Sequence, residues 1–368
     1  MNFPISVVIP TYQRGDLIGE TIESVLAQTL PANEVIVVDD SSTDDTAQVC
    51  ARFGDRIKYT KIDHAGVQVA RNTGASLSSS PWLAFCDSDD LWEPDHLERI
   101  ARLVAAYPEV CYIYGDFMFF GDKIEGLWKT RSMFEMAPNG FWEIAKRQVG
   151  EEAWIPIRSL APNILDARDY EPFWPSASSI SKEYFDRVGG YDPNMLGLPS
   201  EDFEFLFRCL MGGGQLGITT YPTVRIRTHL SNDRASSKEG MLRQAAGEIT
   251  VCCYIVRHYG LPSLLQNKAL AKIYRLCEDA INYAFLSGQL EYVKALSPTI
   301  WKDRRYLSWK LTTKVAVASL PVSLGRILNR LLVRGRFISP RPISSDLESK
   351  FYEAIAALYV PSSDKKDI

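Results

Sequence analysis

Over roughly the first 110 residues, short runs of β-branched and aliphatic residues alternate with segments of helical spacing, and this rhythm restricts the fold more than any single motif. The runs are Ile5–Ile9, Glu34–Val38, Ile57–Ile62 and Trp82–Cys86. Between the first two, Leu17, Ile18, Ile22, Val25 and Leu26 recur at helical spacing within 14–28. A helix capped by Ser42 or Thr43 is predicted to run through Phe53. Further helices are predicted over 67–77 and 93–107, the last with Pro94 near its first turn. Continuous apolar strands separated by helices imply a parallel sheet covered on both faces. Parallel strands end along one edge, and open α/β sheets bind ligands there. Thr11-Tyr12, Asp39-Asp40 and Asp87 to Asp90 each follow a strand end, so they are predicted to meet in one crevice.

The run Asp87-Ser88-Asp89-Asp90 follows the apolar Trp82-Leu83-Ala84-Phe85-Cys86 directly. Carboxylates crowded at a strand end repel one another and are costly to bury. Solvent, a cationic partner or a hard divalent cation relieves them. Taken alone, the run reads more readily as a solvated turn leading into a helix.

Its sequence neighbours point to chemistry. The segment Val7-Val8-Ile9-Pro10-Thr11-Tyr12-Gln13-Arg14 resembles the opening of family 2 glycosyltransferases, which have the GT-A fold. Glu34 to Thr46 resembles that family's second strand and its nucleotide-binding aspartate, and Val69 to Gly74 its Ala-Arg-Asn-x-Gly element. Asp87-Ser88-Asp89 matches its Asp-x-Asp. Gly189-Gly190-Tyr191-Asp192 followed by Ser200-Glu201-Asp202 matches its Gly-Gly-Phe-Asp and Glu-Asp elements. Each motif is weak by itself, but five in the right order are specific, and together they span about residues 3–235.

The resemblance implies an α/β, GT-A, Rossmann-like fold with a doubly wound, mostly parallel sheet, and the helical pattern beyond 235 adds an α-helical C-terminal extension outside the family core. It implies a catalytic domain over 1–235, with a nucleotide-sugar half over about 1–120 and an acceptor half over about 121–235. It also implies transfer from a UDP- or dTDP-sugar donor to a glycan or lipid-linked acceptor, in surface polysaccharide or glycoprotein glycan assembly. Negative charge grows on the diphosphate leaving group, so a divalent cation, Mn²⁺ or Mg²⁺, stabilises the transition state. Asp89 is the expected metal ligand, with Asp87 nearer the ribose or acting through water. His229 is a further candidate ligand, because Arg227, His229 and Asn232 match the family's Arg-x-His-x-x-Asn spacing. Asp39 is expected to accept a hydrogen bond from the base, Tyr12 to stack on it, and Arg71 to reach the base or the pyrophosphate. Pro10, Thr11, Arg14, Ser41, Ser88 and Glu201 complete the expected donor site. Asp202 is the expected general base that takes the acceptor's proton. One base without a covalent nucleophile implies a single displacement, hence inversion.

Two competing readings remain at this stage. A sugar nucleotidyltransferase would need a Gly-rich phosphate loop after the first strand, and Pro10-Thr11-Tyr12-Gln13-Arg14 is not one. A catalytically silent nucleotide-sugar-binding subunit would not need intact Asp87, Asp89 and Asp202.

The remainder of the chain differs in character. Gly121 to Pro175 is irregular and rich in Trp, Phe and Pro, with Trp128, Trp142, Trp154 and Trp174. Beyond 235 the pattern is helical, over about 240–258, 262–287 and 290–296, within an extension spanning 236–368 that leaves room for a homo-oligomer contact. Residues 301–341 carry ten Lys or Arg against Asp303 alone, +9 in a chain of net charge −4. There Leu320, Leu324, Ile327, Leu328 and Leu331 form a helical stripe beside Arg326, Arg330 and Arg334. Such a basic amphipathic segment is expected to meet an anionic membrane surface. Seven cysteines without paired spacing suggest reduced thiols, and no nucleic-acid-binding signature occurs. With the first strand starting almost at once and no apolar run near ~20 residues, a cytoplasmic protein is expected, peripheral on the inner face of the plasma membrane if the basic segment docks.

Overall fold

The computed structural model describes residues 3–121, 131–138, 141–142, 148–149, 152–156, 160–166, 173–195, 200–228 and 238–288, with scattered positions from Leu290 to Ala318. The chain divides into two compact units. One comprises Met1–Leu196 and Glu201–Leu230, the other Gly197–Ser200 and Ser231–Ile368.

The first unit opens with the expected alternation. Its elements are β1 (Ile5–Thr11), α1 (Ile18–Leu26), β2 (Glu34–Asp39), α2 (Thr46–Ala51), β3 (Lys58–Lys61), α3 (Val67–Leu77), β4 (Trp82–Phe85), β5 (Leu91–Trp92) and α4 (His96–Ala106). β6 (Val110–Gly121), β7 (Gln148–Val149), β8 (Glu152–Pro156), α5 (Ala161–Asp166), β9 (Ser178–Ser181), α6 (Lys182–Val188), α7 (Glu201–Met211) and β10 (Gln215–Thr228) follow.

One sheet runs in the order β3-β2-β1-β4-β9-β6-β10-β8-β7, with β5 paired to β10. The first four strands are mutually parallel, as their apolar runs predict. The strand β9 then lies antiparallel to both β4 and β6, because it starts at the edge where the parallel strands end. β6 and β10 are parallel, and β5 and β8 join β10 antiparallel. The sheet is therefore parallel in its N-terminal half and mixed beyond it.

The core sits where the apolar runs put it: Ile5, Val7, Val8, Ile9, Ile36, Val37, Val38, Leu83 and Phe85 are buried. The helix α3 rides close over β1. A Cβ on Gly74 would stand 2.3 Å from Val8 Cγ1, so glycine sets that approach.

The helix α2 begins at Thr46 rather than at Ser42 or Thr43, because those hydroxyls are used elsewhere. Gln13 N–H donates to Ser42 Oγ at 2.9 Å, and Gln13 Nε2 donates to Thr43 Oγ1 at 2.8 Å. The Asp44 carboxylate accepts Thr46 N–H instead.

In the second unit, α8 (Lys238–His258) packs against α9 (Ser263–Ser287), each within two residues of its predicted span. Leu242, Ala246, Ile249, Ala269, Ile273, Ile281 and Ala284 are buried there. Gly288 closes α9 at φ 78°, the left-handed conformation favoured after a helix. Among the described residues no helix is long and apolar enough to cross a membrane. His229, Asn232 and almost all of 301–341, with Arg326, Arg330 and Arg334, lie outside the described residues. All seven cysteines are free.

Candidate functional site

The crevice opens where β1 and β4 part. Their pairing ends at Val8↔Phe85, and Cys86 N–H donates to Val8 O at 3.0 Å. Pro10 lies two residues on and faces the same side, but it has no N–H with which to continue the ladder. β1 continues to Thr11 on β2 alone, where Thr11 pairs with Asp39. The sheet thus splits at the point where the strand order reverses, the usual ligand crevice of an open α/β sheet.

Loops after β1 and β2 form one wall. Gln13 and Ser41 take left-handed φ values of 53° and 73°, uncommon for residues with a side chain. Cross-loop hydrogen bonds hold these conformations: Gln13 Oε1 accepts from Thr43 N at 3.2 Å and from Asp44 N at 3.1 Å. Asp39 is fully buried. It accepts Ser42 N–H at 2.7 Å and the Tyr59 hydroxyl at 2.5 Å. Burial, then Asp39 itself, pushes the Tyr59 pKa up, so Tyr59 stays a donor. Asp39 is first of all the anchor of the β2 loop. Asp40 anchors the approach to α3, accepting Ala65 N–H at 2.7 Å and Gly66 N–H at 2.9 Å.

Tyr12 is 45% exposed at the mouth, its ring centroid 4.6 Å from that of His64. His64 Nδ1 lies 2.9 Å from Asp40 Oδ2. His64 therefore belongs to the crevice. The other two described histidines are structural. Burial drives the His96 pKa down to about 3, and its Nδ1 is 2.7 Å from Thr223 Oγ1. His258 packs its ring on Tyr254. The Thr11 hydroxyl is buried at the end of β1 and finds no hydrogen-bond partner among the described residues.

The acidic turn after β4 has two functions divided among its carboxylates. Asp90 is buried, accepting the Ser176 hydroxyl at 2.5 Å and Arg227 N–H at 2.9 Å. Burial, with Asp89 and Asp87 nearby, pushes its pKa well above the usual carboxylate range. The same environment pushes the Cys86 thiol up and leaves it inert. Ser176 Oγ also accepts Asp87 N–H at 2.9 Å, so one serine holds both ends of the turn. Ser88 is buried within it. Asp87 and Asp89 face outward, with side chains 26% and 19% exposed, and Arg14 Nε lies 3.4 Å from Asp89 Oδ2.

Arg71 joins this turn to the far wall. From the buried face of α3 it donates to Asp87 Oδ1 at 2.8 Å and to Glu201 Oε1 at 3.1 Å. Burial opposes its charge, but Asp87 and Glu201 outweigh burial and hold the guanidinium ionised. Its carbon stands 5.0 Å from the Tyr191 ring centroid. The sequence reading sent Arg71 to the base or the pyrophosphate; here both terminal nitrogens bind acids. Two further bonds tie α3 to the same wall: Asn72 Nδ2 donates to Tyr191 O at 2.7 Å, and Gln68 Nε2 to Met195 O at 2.9 Å. Glu201 and Asp202 occupy the first turn of α7, where the helix macrodipole favours carboxylates. Asp202 Oδ1 accepts Phe203 N–H at 2.8 Å.

Asp87 and Asp89 supply hard oxygen ligands at the crevice mouth. Among the described residues, no three His, Cys, Asp or Glu side chains converge as a ready metal cage. A pair of carboxylates suits a cation of the Mg²⁺ class, which is bound through one or two carboxylates and completed by phosphate oxygens and water. The donor set therefore fits, and Asp90 takes no part in it.

Sequence reasoning missed Ser176, Tyr59, His64 and the structural use of Asp90. Only the register gives a signal for Ser176: Ser179 pairs with Ala84, which places Ser176 level with Asp87.

Residues 6–167 match the family model described as glycosyl transferase family 2. The chain is 34% identical over 217 residues to a validoxylamine A glucosyltransferase of Streptomyces hygroscopicus subsp. jinggangensis (strain 5008), covering 55% of this chain and 50% of that one. It thus spans about half the length of this curated relative. Among solved structures, S. aureus TarS 1-349 in complex with UDP superposes with a TM-score of 0.57 at 15% identity, over 93% of this chain and 95% of that one. A mannosyltransferase, PcManGT from Pyrobaculum calidifontis, in complex with GDP-Man and Mn²⁺, gives 0.51 at 18% identity, over 100% and 89%. At these identities the likeness is one of fold, and the fold is GT-A-like with an α-helical C-terminal region.

Proposed function

We propose, from the match of residues 6–167 to the glycosyl transferase family 2 model, that the chain moves a sugar from a UDP- or dTDP-sugar to a hydroxyl of a glycan or lipid-linked acceptor, inverting the anomeric carbon. The observation that carries this reading is the buried Arg71 bridge between Asp87 and Glu201. It brings the Asp-x-Asp and Glu-Asp elements, more than a hundred positions apart in sequence, to one crevice.

In this reading the pyrimidine base and ribose lie against the wall formed by Pro10, Thr11, Tyr12, Asp39 and Ser41, with the exposed Tyr12 ring as a stacking face. The diphosphate lies towards Asp87 and Asp89. Asp89 and Asp87 would hold a divalent cation there, which would supply charge neutralisation on the leaving diphosphate. Asp202 takes the proton of the acceptor hydroxyl as its oxygen attacks the anomeric carbon. The bond to the diphosphate breaks in the same displacement, and the nucleoside diphosphate leaves with the electron pair. Arg71 keeps Asp87 and Glu201 in place and is itself out of the reaction.

The structural neighbour solved in complex with UDP supports the donor class, and the one solved with GDP-Man and Mn²⁺ supports the cation. The +9 segment over 301–341 supports recruitment to an anionic membrane surface, where a lipid-linked acceptor would be met.

The test is calorimetric titration of UDP and dTDP with Mn²⁺ or with a chelator. Binding should tighten with Mn²⁺, and Asp89→Ala should remove that gain while leaving the far-UV circular dichroism unchanged. Failure to bind either nucleotide sinks the donor assignment. Equal affinity with metal and with chelator sinks the cation.

A further inference from the structure

Arg227 sits at the C-terminal end of β10 and reaches three different parts of the unit: the acidic turn, α1 and β6. Its N–H donates to the buried Asp90 carboxylate at 2.9 Å. Its Nε donates to the backbone carbonyl of Asp89 at 2.8 Å. Its Nη2 donates to Glu20 Oε2 on α1 at 2.6 Å. Its guanidinium carbon lies 4.5 Å from the Phe120 ring centroid on β6. The side chain is 16% exposed, against 59% for Glu20, so the inner contacts are shielded and the outer pair is wet.

We propose that Arg227 is a positioning residue for the diphosphate–cation site: its Nε–H···O=C bond to Asp89 fixes the direction in which the Asp89 carboxylate points. This inference rests on the glycosyl-transfer reading above. In an acidic turn only four residues long, the peptide plane after Asp89 sets the orientation of the side chain before it. The N–H of that plane donates to Asp87 O at 3.0 Å, the Asp90 carboxylate beyond it is held by Ser176 and the Arg227 backbone, and Arg14 Nε lies 3.4 Å from the Asp89 carboxylate itself; the Arg227 bond holds the carbonyl side of the plane. A guanidinium suits the task because one planar group can donate to the carbonyl and to Glu20 in fixed directions, whereas an ammonium is a point donor. Position 227 thus carries more than the surface pair with Glu20. That exposed pair is worth little by itself.

The test uses the full chain and reads UDP affinity by calorimetry in two arms, Mn²⁺ and chelator. Arg227→Lys keeps the charge near Glu20 but loses the directed bond to the Asp89 carbonyl. The gain in UDP affinity from Mn²⁺ should shrink about three- to tenfold, the scale of one hydrogen bond. The chelator arm should stay within about twofold. Glu20→Gln removes the exposed pair and should leave both arms within about twofold of wild type. Arg227→Gln, which retains one directed donor, should fall between lysine and arginine. A wild-type Mn²⁺ gain in Arg227→Lys overturns the proposal, and so does an equal loss in both arms, which would mark a general packing defect. If neither Arg227 variant folds, the residue is structural and the proposal also fails. If wild type shows no Mn²⁺ gain at all, it is the parent cation assignment that fails, which this design tells apart.

Discussion

Asp87 and Asp116 stand at the same height on the two halves of the sheet, yet they live in opposite surroundings. Ala84 and Ile113 both pair with Ser179, and each aspartate follows three residues later. Asp87 ends a short parallel strand, keeps a quarter of its side chain in solvent and faces Arg71. Asp116 lies within the long β6, fully buried, with Oδ1 accepting Phe117 N–H and Phe134 N–H at 2.9 Å each. Its Oδ2 has no hydrogen-bond partner among the described residues. Burial raises its pKa to about 6, against lesser opposing hydrogen bonds from Ser132, Phe134 and Phe117. Around it, Phe134 stacks on Trp142 at 4.3 Å and Tyr114 meets Phe173 at 4.7 Å. In the parallel half Asp87 stays part-exposed in the crevice, whereas the mixed half buries Asp116 beside an aromatic cluster.

The largest effect should come from the far wall. If α7 carries the base and the parallel half carries donor binding, Asp202→Asn should cut transfer by about 10²–10⁴-fold, the range of general-base catalysis. Donor affinity, read by UDP titration, should hardly move. Near-normal turnover would reduce Asp202 to a helix-end acid.

Next comes the bridge between the walls. Arg71→Met leaves Asp87 and Glu201 facing one another without their shared cation. Removing one partner of a buried ion pair costs about 3–5 kcal/mol, and the denaturation midpoint should drop accordingly. A midpoint within about 1 kcal/mol of wild type would mean that the two walls are joined by packing alone.

A smaller loss should follow in the parallel half. Gly74→Ala forces a methyl towards Val8 and should cost about 1–3 kcal/mol, as overpacked cores do. A neutral result would show that α3 can lift from β1 without strain.

The smallest effect sharpens the contrast between the two acids. The raised pKa of Asp116 means that the folded state holds this proton more tightly than the unfolded chain. Its contribution is fully present below the ordinary value of 3.8 and is lost as pH rises through about 6. Asp116→Asn removes that dependence, so the variant should gain on wild type between pH 4 and pH 7 in thermal melts. Parallel curves would show that Asp116 titrates normally.

Local periodicity made the parallel half legible. Apolar runs gave all four strands to within two residues, and α3 coincides with its predicted span. The acidic turn and the Glu-Asp pair could also be read as belonging to one site, because motif order survives without coordinates. The partners of those residues could not. Ser176 carries no motif, and its value comes only from β9 running back beside β4. Arg71 looked like a ligand-binding cation because sequence shows its charge but not that two acids already claim it.

The sequence by itself determined where strands and helices form and which ends of the strands carry acids, since both follow from nearest-neighbour spacing and side-chain chemistry. Only the tertiary structure decided which acids stay exposed. Asp89 keeps solvent while Asp90, one residue on, is enclosed by Ser176, just before β9, and Arg227 on β10, both distant in sequence. Burial and hydrogen-bond satisfaction are properties of the surrounding shell, and that shell is assembled from residues no local pattern connects.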